Sequence, residues 1–239
     1  MANHLDLEEQ EQLDQLKHFW KQYGNPITWA LIAVLASFAS WNFYNYWQRS
    51  QALQAAAMFD EVARVANTSD QAKIDRAFSD MKERFASTAY AQQAGLMVAK
   101  QYFTLGNADA AKAALSWVAD KSSDKGYQAI AKLRLAGIHV QNKAYDDALA
   151  VLGNPFPSEF DAWVADRKGD VYALQAKRAE AVSEYTKAFK GFEDRVEYRR
   201  LVEVKLNALG IDPVGRTDAL SVVADKNTPQ PTNSDAAKK

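Results

Sequence analysis

The chain has 239 residues, of which 48% are hydrophobic and 25% charged, and its formal net charge is -1. The absence of a basic surplus argues against a nucleic-acid partner, and the absence of cysteine excludes disulfides, thiol nucleophiles and cysteine-bound metal. Six prolines and ten glycines lie mostly between stretches of helical apolar periodicity, which predicts an all-α protein.

The apolar spacing within residues 1–25 predicts that this segment forms a short amphipathic helix on the cytoplasmic side of a membrane. Leu13, Leu16 and Trp20 recur at helical spacing, a pattern typical of a helix that lies near a bilayer surface. The triplet Gly24-Asn25-Pro26 predicts that this helix ends there.

Residues 26–48 predict a single transmembrane helix. No charge occurs between Gln22 and Gln48, and the apolar run over residues 27–47 would rise about 31 Å as a helix, close to the thickness of a bilayer's hydrocarbon core. Aromatic residues lie at both ends of the run, as they do at membrane interfaces. The alternative is a cleaved signal peptide with the small residues Ser37 and Ala39 at the positions a signal peptidase reads, but the apolar run continues past them.

The basic residues around this segment predict its orientation. Lys17 and Lys21 precede it closely and Arg49 follows it. An excess of Lys and Arg marks the cytoplasmic side. We therefore expect the N-terminus to lie in the cytoplasm and the residues after the transmembrane segment to lie on the opposite side of the membrane.

A stripe of small residues along the transmembrane segment predicts a face that packs against another transmembrane helix. Its members are Ala30, Ala33, Ser37 and Ser40. The alternative is that Ala and Ser are simply common in such segments.

Residues 49–210 predict a domain of repeated helix pairs. An Ala-rich helix is expected to continue to about Ala66, and a second to run from Asp70 to Phe85, together a divergent pair. Beyond them a pattern of small residue, ring, alanine and later large residue recurs every 33 to 37 residues. Its three sets are Ala99, Tyr102, Ala111 and Leu115; Ala136, His139, Ala148 and Leu152; Gly169, Tyr172, Ala181 and Tyr185. This period resembles the tetratricopeptide repeat and predicts an α-solenoid.

The end of the chain predicts a capping helix followed by a polar tail. The helix is expected over Asp194 to Leu209, with the apolar residues Val196, Leu201, Val204 and Leu206, and Gly210 closes it. Residues 211–239 are polar and low in complexity, which predicts disorder.

A binding groove is expected on the first helices of the repeats, because solenoids present that face to partners. The repeat register predicts five groove residues: Lys100, Phe103, Trp163, Asp166 and Leu174. Leu133 and Val140 share the register, and packing within the stack is the preferred interpretation for them.

No enzyme is predicted. The sequence has no Gly-rich phosphate loop, zinc motif or nucleophile elbow, so we expect no cofactor and no metal. His139 occupies the position of Tyr102 and Tyr172 in the neighbouring repeats, which favours packing over catalysis.

The order of these parts resembles the YfgM family, ancillary subunits of the bacterial Sec translocon. The resemblance covers about residues 10 to 209. It is carried by residues 14–20 leading to Gly24, by Tyr46-Trp47, by Ala89-Tyr90-Ala91, by residues 132–136 and by residues 164–170. It implies an inner-membrane protein with a periplasmic bulk, which associates with Sec translocon subunits, a membrane-anchored isomerase-like periplasmic chaperone and unfolded secreted clients.

The leading interpretation is therefore a non-enzymatic, membrane-anchored interaction module that touches the lipid bilayer and other polypeptides. The alternative is a self-assembling envelope scaffold, which would bind only further copies of itself.

Overall fold

A computed structural model describes residues 7–215 of the chain, with side chains from residue 11 onward. The polar tail beyond residue 215 lies outside the described residues. The chain divides into two compact units, Met1–Ala57 and Met58–Lys239.

The described residues are helical and contain no strand, which confirms the predicted fold class. The elements are α1 (Leu7–Ala66), α2 (Gln71–Phe85), α3 (Ala89–Thr104), α4 (Ala108–Lys121), α5 (Lys125–Gln141), α6 (Tyr145–Leu152), a 3-10 turn (Ser158–Phe160), α7 (Asp161–Leu174), α8 (Arg178–Gly191) and α9 (Tyr198–Ala208).

Helix α1 runs without interruption through Pro26, so the predicted helix end at Gly24-Asn25-Pro26 is wrong. A proline inside a helix removes one backbone hydrogen bond. The carbonyl that loses its amide partner is that of Gln22, four residues earlier. In the next turn Thr28 Oγ1 donates to the Gly24 carbonyl oxygen at 2.7 Å. The Trp20 ring also lies against Gly24, where an added Cβ would come within 3.2 Å of the indole nitrogen. Helix-breaking residues such as proline are tolerated in membrane-spanning helices, and α1 continues through this one.

Within the described residues, α1 is the one helix long and apolar enough to cross a bilayer. Its large apolar side chains are exposed along the segment, among them Trp29 at 71% and Phe43 at 72%. A helix that is apolar on all sides and unburied by its own chain is typical of a membrane-spanning segment.

The first helix of each repeat ends in the same backbone turn. One residue in each turn has a left-handed backbone, and these recur every 33 to 37 residues: Ser69 (φ 58°), Gly106 (φ 80°), Lys143 (φ 59°), Ala176 (φ 59°) and Gly210 (φ 76°). After four of them the next amide donates to a carbonyl five residues earlier, from Asn107 to Tyr102, Ala144 to His139, Lys177 to Tyr172 and Ile211 to Leu206, over 2.8 to 3.0 Å. This geometry satisfies carbonyls at a helix end, and it confirms the predicted closure at Gly210.

The turns define five first helices. They are the end of α1, α3, α5, α7 and α9, and the first four are each followed by a second helix. In the pair α5–α6 the small residue Ala136 and the large residue Leu152 lie in one core cluster. In the pair α7–α8 the two elements fit closely, because a Cβ added at Gly169 would lie 2.5 Å from the Tyr185 ring.

The terminal helix α9 differs from its prediction in two respects. It begins at Tyr198, four residues after the expected Asp194. The carboxylate of Asp194 instead pairs with Arg199 Nη1 at 2.9 Å. Val202 and Leu206 are buried, whereas Leu201 and Val204 are 45% and 61% exposed, because α9 packs against its neighbours through one face only.

Candidate functional site

Two of the predicted groove residues lie together between α3 and α5. Lys100 and Phe103 line a cavity of about 420 Å³, whose floor on α5 includes Arg134 and Gly137. Both predicted residues reach this cavity because they lie on the same face of α3, one helical turn apart.

Two more predicted residues lie together between α5 and α7. Trp163 and Leu174 line a cavity of about 590 Å³, with Val140 on the opposite side. This cavity also includes Arg134 and Gly137, so the two cavities meet on α5. We call the joined surface the inner groove, defined by Lys100, Phe103, Arg134, Gly137, Trp163 and Leu174.

The fifth prediction, Asp166, is wrong as a groove residue. Its side chain is only 1% exposed, because α9 packs over it. The preceding repeats gave a usable signal: Leu96 and Leu133 occupy the same position ten residues before the left-handed residue, and Leu96 is itself buried. This position is thus buried in the α3 and α7 units, whereas Leu133 on α5 is half-buried and lines the larger cavity.

Asp166 instead belongs to a polar cluster that fixes α9 beside α7. Lys205 Nζ on α9 lies 2.6 Å from Asp166 Oδ1 and 2.7 Å from Asp170 Oδ1. Tyr198 Oη donates to the second Asp166 oxygen at 2.8 Å, and Tyr185 Oη donates to Asp170 Oδ1 at 2.8 Å. One ammonium group thus satisfies two carboxylates, and each carboxylate also accepts a hydrogen bond from a tyrosine hydroxyl.

Burial and these carboxylates raise the pKa of both tyrosines. For Tyr185 burial comes first and the charge of Asp170 second. For Tyr198 burial again comes first, followed by the hydrogen bond to Asp166. Both hydroxyls therefore stay protonated and remain donors across the physiological range.

The groove combines an apolar wall with basic groups. Arg134 Nη1 donates to the Leu96 carbonyl oxygen at 3.2 Å, and Arg167 Nη1 lies 3.3 Å from Asp170 Oδ2. Lys100 is exposed at the edge of the α3 cavity. Such a surface can bind the side chains of a polypeptide segment, with its basic groups placed for carboxylates.

Trp163 has a second role that the sequence did not reveal. Its ring is 37% exposed to the groove, yet it also packs on Phe192, with ring centroids 4.9 Å apart, and on Tyr198, at 4.5 Å. Truncation of Trp163 would therefore disturb both the groove and the attachment of α9.

Sequence reasoning missed Gly137, which lies where the two cavities meet. An added Cβ there would meet no heavy atom within 4 Å, so the floor of the groove is open at this point. The signal was available in the sequence, because Gly137 directly follows the small repeat residue Ala136 on a predicted first helix.

His139 packs in the stack as its repeat position suggested. It is half-buried, and its Nδ1 lies 3.8 Å from Asp147 Oδ2. Among residues 11–215, no group of three or more His, Asp or Glu side chains is placed to bind a metal ion.

The predicted packing stripe on α1 is exposed along its length at Ala30, Ala33, Ser37 and Ser40. Ser37 Oγ donates to the Ala33 carbonyl oxygen at 2.8 Å, so its hydroxyl is satisfied within the helix. The stripe thus presents small side chains, and its docking to another helix stays a prediction.

Comparison with known proteins gives a consistent result over most of the chain. Residues 17–211 match the family described as tetratricopeptide repeat-like domain. An ancillary SecYEG translocon subunit of Neisseria gonorrhoeae is 34% identical over 87% of this chain and 100% of its own length. Proteins with the same description from Haemophilus influenzae and Escherichia coli are 27% and 24% identical, each over 85% of this chain and over 98% and 97% of their own lengths.

Proposed function

Because this chain belongs to the YfgM family of tetratricopeptide repeat-like proteins, we propose that it is an ancillary, non-enzymatic subunit of the Sec translocon. On this proposal α1 anchors the protein in the bacterial inner membrane, with its N-terminus in the cytoplasm. The helical repeats lie in the periplasm, where they bind emerging secreted proteins and pass them to a membrane-anchored isomerase-like chaperone.

The inner groove is the observation that carries the binding role. Its two joined cavities expose apolar side chains next to Lys100 and Arg134. Monomeric proteins rarely leave such surfaces uncovered without a binding role. An unfolded client or an exposed chaperone segment can supply apolar side chains and carboxylates in one stretch of chain.

The anchor supports a position at the membrane. α1 carries an uncharged segment with exposed aromatic residues at both ends, which suits contact with lipid and with translocon helices. Neither contact requires catalysis.

The proposed topology has a direct test. Protease added to intact spheroplasts should degrade the repeat domain and leave a short N-terminal fragment that is cleaved only after lysis. A cytosolic protein probed in the same sample controls for leakage. A repeat domain that survives until lysis would place the groove in the cytoplasm and refute the periplasmic role.

The groove is tested by filling it at Gly137. Gly137→Leu places a large side chain in open space on the groove floor, while leucine favours the helix. Photo-crosslinking from position 174 in the full chain should then yield at least fivefold fewer adducts with secreted proteins or the chaperone. Gly137→Ala is the matched control and should keep the adducts, since its single methyl group leaves the groove open.

The same experiment separates the alternatives. If Gly137→Leu gives as many adducts as the chain with Gly137, the groove is not the binding surface. The same follows if a crosslinker at the exposed residue Lys187 gives as many adducts as one at position 174. Adducts formed only between copies of this chain would favour the envelope scaffold instead.

A further inference from the structure

The repeat register of the inner groove can be followed onto α9. Each first helix is followed by a residue with a left-handed backbone, Lys143 after α5 and Ala176 after α7. The residues nine, six and two positions before that residue line the 590 Å³ cavity on both helices. These are Arg134, Gly137 and Gln141 on α5, and Arg167, Asp170 and Leu174 on α7. On α9 the same three positions are Leu201, Val204 and Ala208, which we call the α9 stripe.

The α9 stripe is exposed although α9 is firmly packed. Val202 and Leu206 on the opposite face are fully buried, and Lys205 ties the helix to α7 through two ion pairs. All three stripe residues are exposed. An ordered helix thus presents an apolar row that no other described residue covers.

The chain that follows α9 starts close to this stripe. Asp212 Oδ1 accepts hydrogen bonds from the amides of Val214 at 2.9 Å and Gly215 at 3.1 Å, which redirects the backbone just after the helix. Five further residues reach Leu220, a distance of at most about 17 Å. The stripe extends over eight residues of helix, a rise of about 10 Å, which is shorter than this reach.

The segment within reach has the matching chemistry. Residues 219–224, Ala-Leu-Ser-Val-Val-Ala, form an apolar run in an otherwise polar tail, and Asp218 and Asp225 flank it. The groove carries Arg134 and Arg167, of which Arg167 is paired with Asp170. The apolar run thus matches the apolar stripe in chemistry, and its flanking carboxylates match the guanidinium group of Arg134.

We propose that residues 218–225 lie along the α9 stripe and the adjoining end of the groove, and that they compete there with the partner segment. This inference rests on the proposed function, since it assigns a regulator to the same groove. The competitor is part of the same chain, so a partner must displace it to occupy the α9 end.

The absence of native cysteine makes the contact directly testable in the full chain. Val204→Cys with Ser221→Cys should form a disulfide within one chain under mild oxidation. Adding Leu220→Asp and Val223→Asp should slow this reaction at least tenfold. The matched control, Thr228→Asp with Thr232→Asp, adds the same charge further along the tail and should leave the rate unchanged.

If the disulfide forms at the same rate with Leu220→Asp and Val223→Asp as with the Thr228→Asp and Thr232→Asp control, the proposal is overturned. A tail that does not prefer the stripe would bring the two cysteines together equally often in both. Disulfides formed mainly between tagged and untagged chains would also overturn it, because the occupant would then be a second copy.

The competition has its own readout. The disulfide-locked chain should give at least fivefold fewer crosslinks from position 174 to secreted proteins or the chaperone than the reduced chain. Equal crosslinks from the locked and reduced chains would refute competition. Failure of the proposed function gives a different result. In that case Gly137→Leu does not change the number of crosslinks from position 174 in a chain without the two added cysteines.

Discussion

Replacement of Lys205 by Met is expected to lower the free energy of unfolding by about 3 kcal/mol, because it leaves a buried carboxylate without its cation. Asp166 is 1% exposed, and Lys205 lies within 2.7 Å of both Asp166 and Asp170. Methionine preserves most of the length and apolar packing of the lysine stem, so the loss reports on the charge. Urea denaturation of the full chain in detergent, followed by circular dichroism, measures it.

A matched exposed pair provides the control. Lys73 Nζ lies 3.0 Å from Asp70 Oδ2, but the two side chains are 64% and 40% exposed, and exposed pairs contribute at most about 1 kcal/mol. Lys73→Met should therefore change stability by less than about 0.5 kcal/mol. A similar loss in both variants would show that the cluster beneath α9 does not depend on burial.

A second substitution identifies the source of the loss. In the Lys205→Met background, Asp166→Asn removes the uncompensated charge but keeps an oxygen that can accept from Tyr198 Oη. The double variant should recover at least about 1 kcal/mol relative to Lys205→Met alone, since the cost of a lone buried charge exceeds that of a hydrogen-bonded amide. No recovery would mean that lysine packing, not charge, attaches α9.

The helix pairs were predictable from the sequence because their determinants are local. Small residues at a fixed period, polar turns and capping groups all act within one hairpin. The start of α2 shows this. The sequence predicts a helix that begins at Asp70, and the Asp70 side chain accepts a hydrogen bond from the Lys73 amide at 3.2 Å. The closure at Gly210 is equally local.

The parts that were not predicted depend on what packs over a given face. The register predicted Asp166 for the groove, but α9 packs over this side chain and buries it. Likewise Leu201 and Val204 are apolar residues on an amphipathic helix, and their exposure follows from the absence of a described neighbour on that face. Local rules also misread Pro26, because they do not decide whether a long apolar helix tolerates the loss of one backbone hydrogen bond.

Gly169→Ala is expected to destabilise the protein by about 2 kcal/mol, although alanine ordinarily favours a helix over glycine by up to about 1 kcal/mol. The new Cβ would lie 2.5 Å from two atoms of the Tyr185 ring. Tyr185 has little room to retreat, because it is buried and donates its hydroxyl hydrogen to Asp170. Urea denaturation of the full chain in detergent gives the change.

The same substitution at Gly137 provides the control, because a Cβ there meets nothing within 4 Å. Gly137→Ala should leave stability unchanged or raise it by up to about 1 kcal/mol, so opposite signs are expected at two glycines on adjacent first helices. Equal effects would mean that helix propensity outweighs the fit between α7 and α8.

The neighbouring repeats suggest how Gly169→Ala can be rescued. The positions of Gly169 and Tyr185 are occupied by Ala99 and Leu115 in one repeat, and by Ala136 and Leu152 in the next. Adding Tyr185→Leu to Gly169→Ala recreates that pairing and should restore the packing, while Tyr185→Leu alone should leave a cavity above the glycine and destabilise the protein. If the double variant loses as much unfolding free energy as the two single variants together, this pairing rule is refuted, because residues in direct contact should show a favourable coupling.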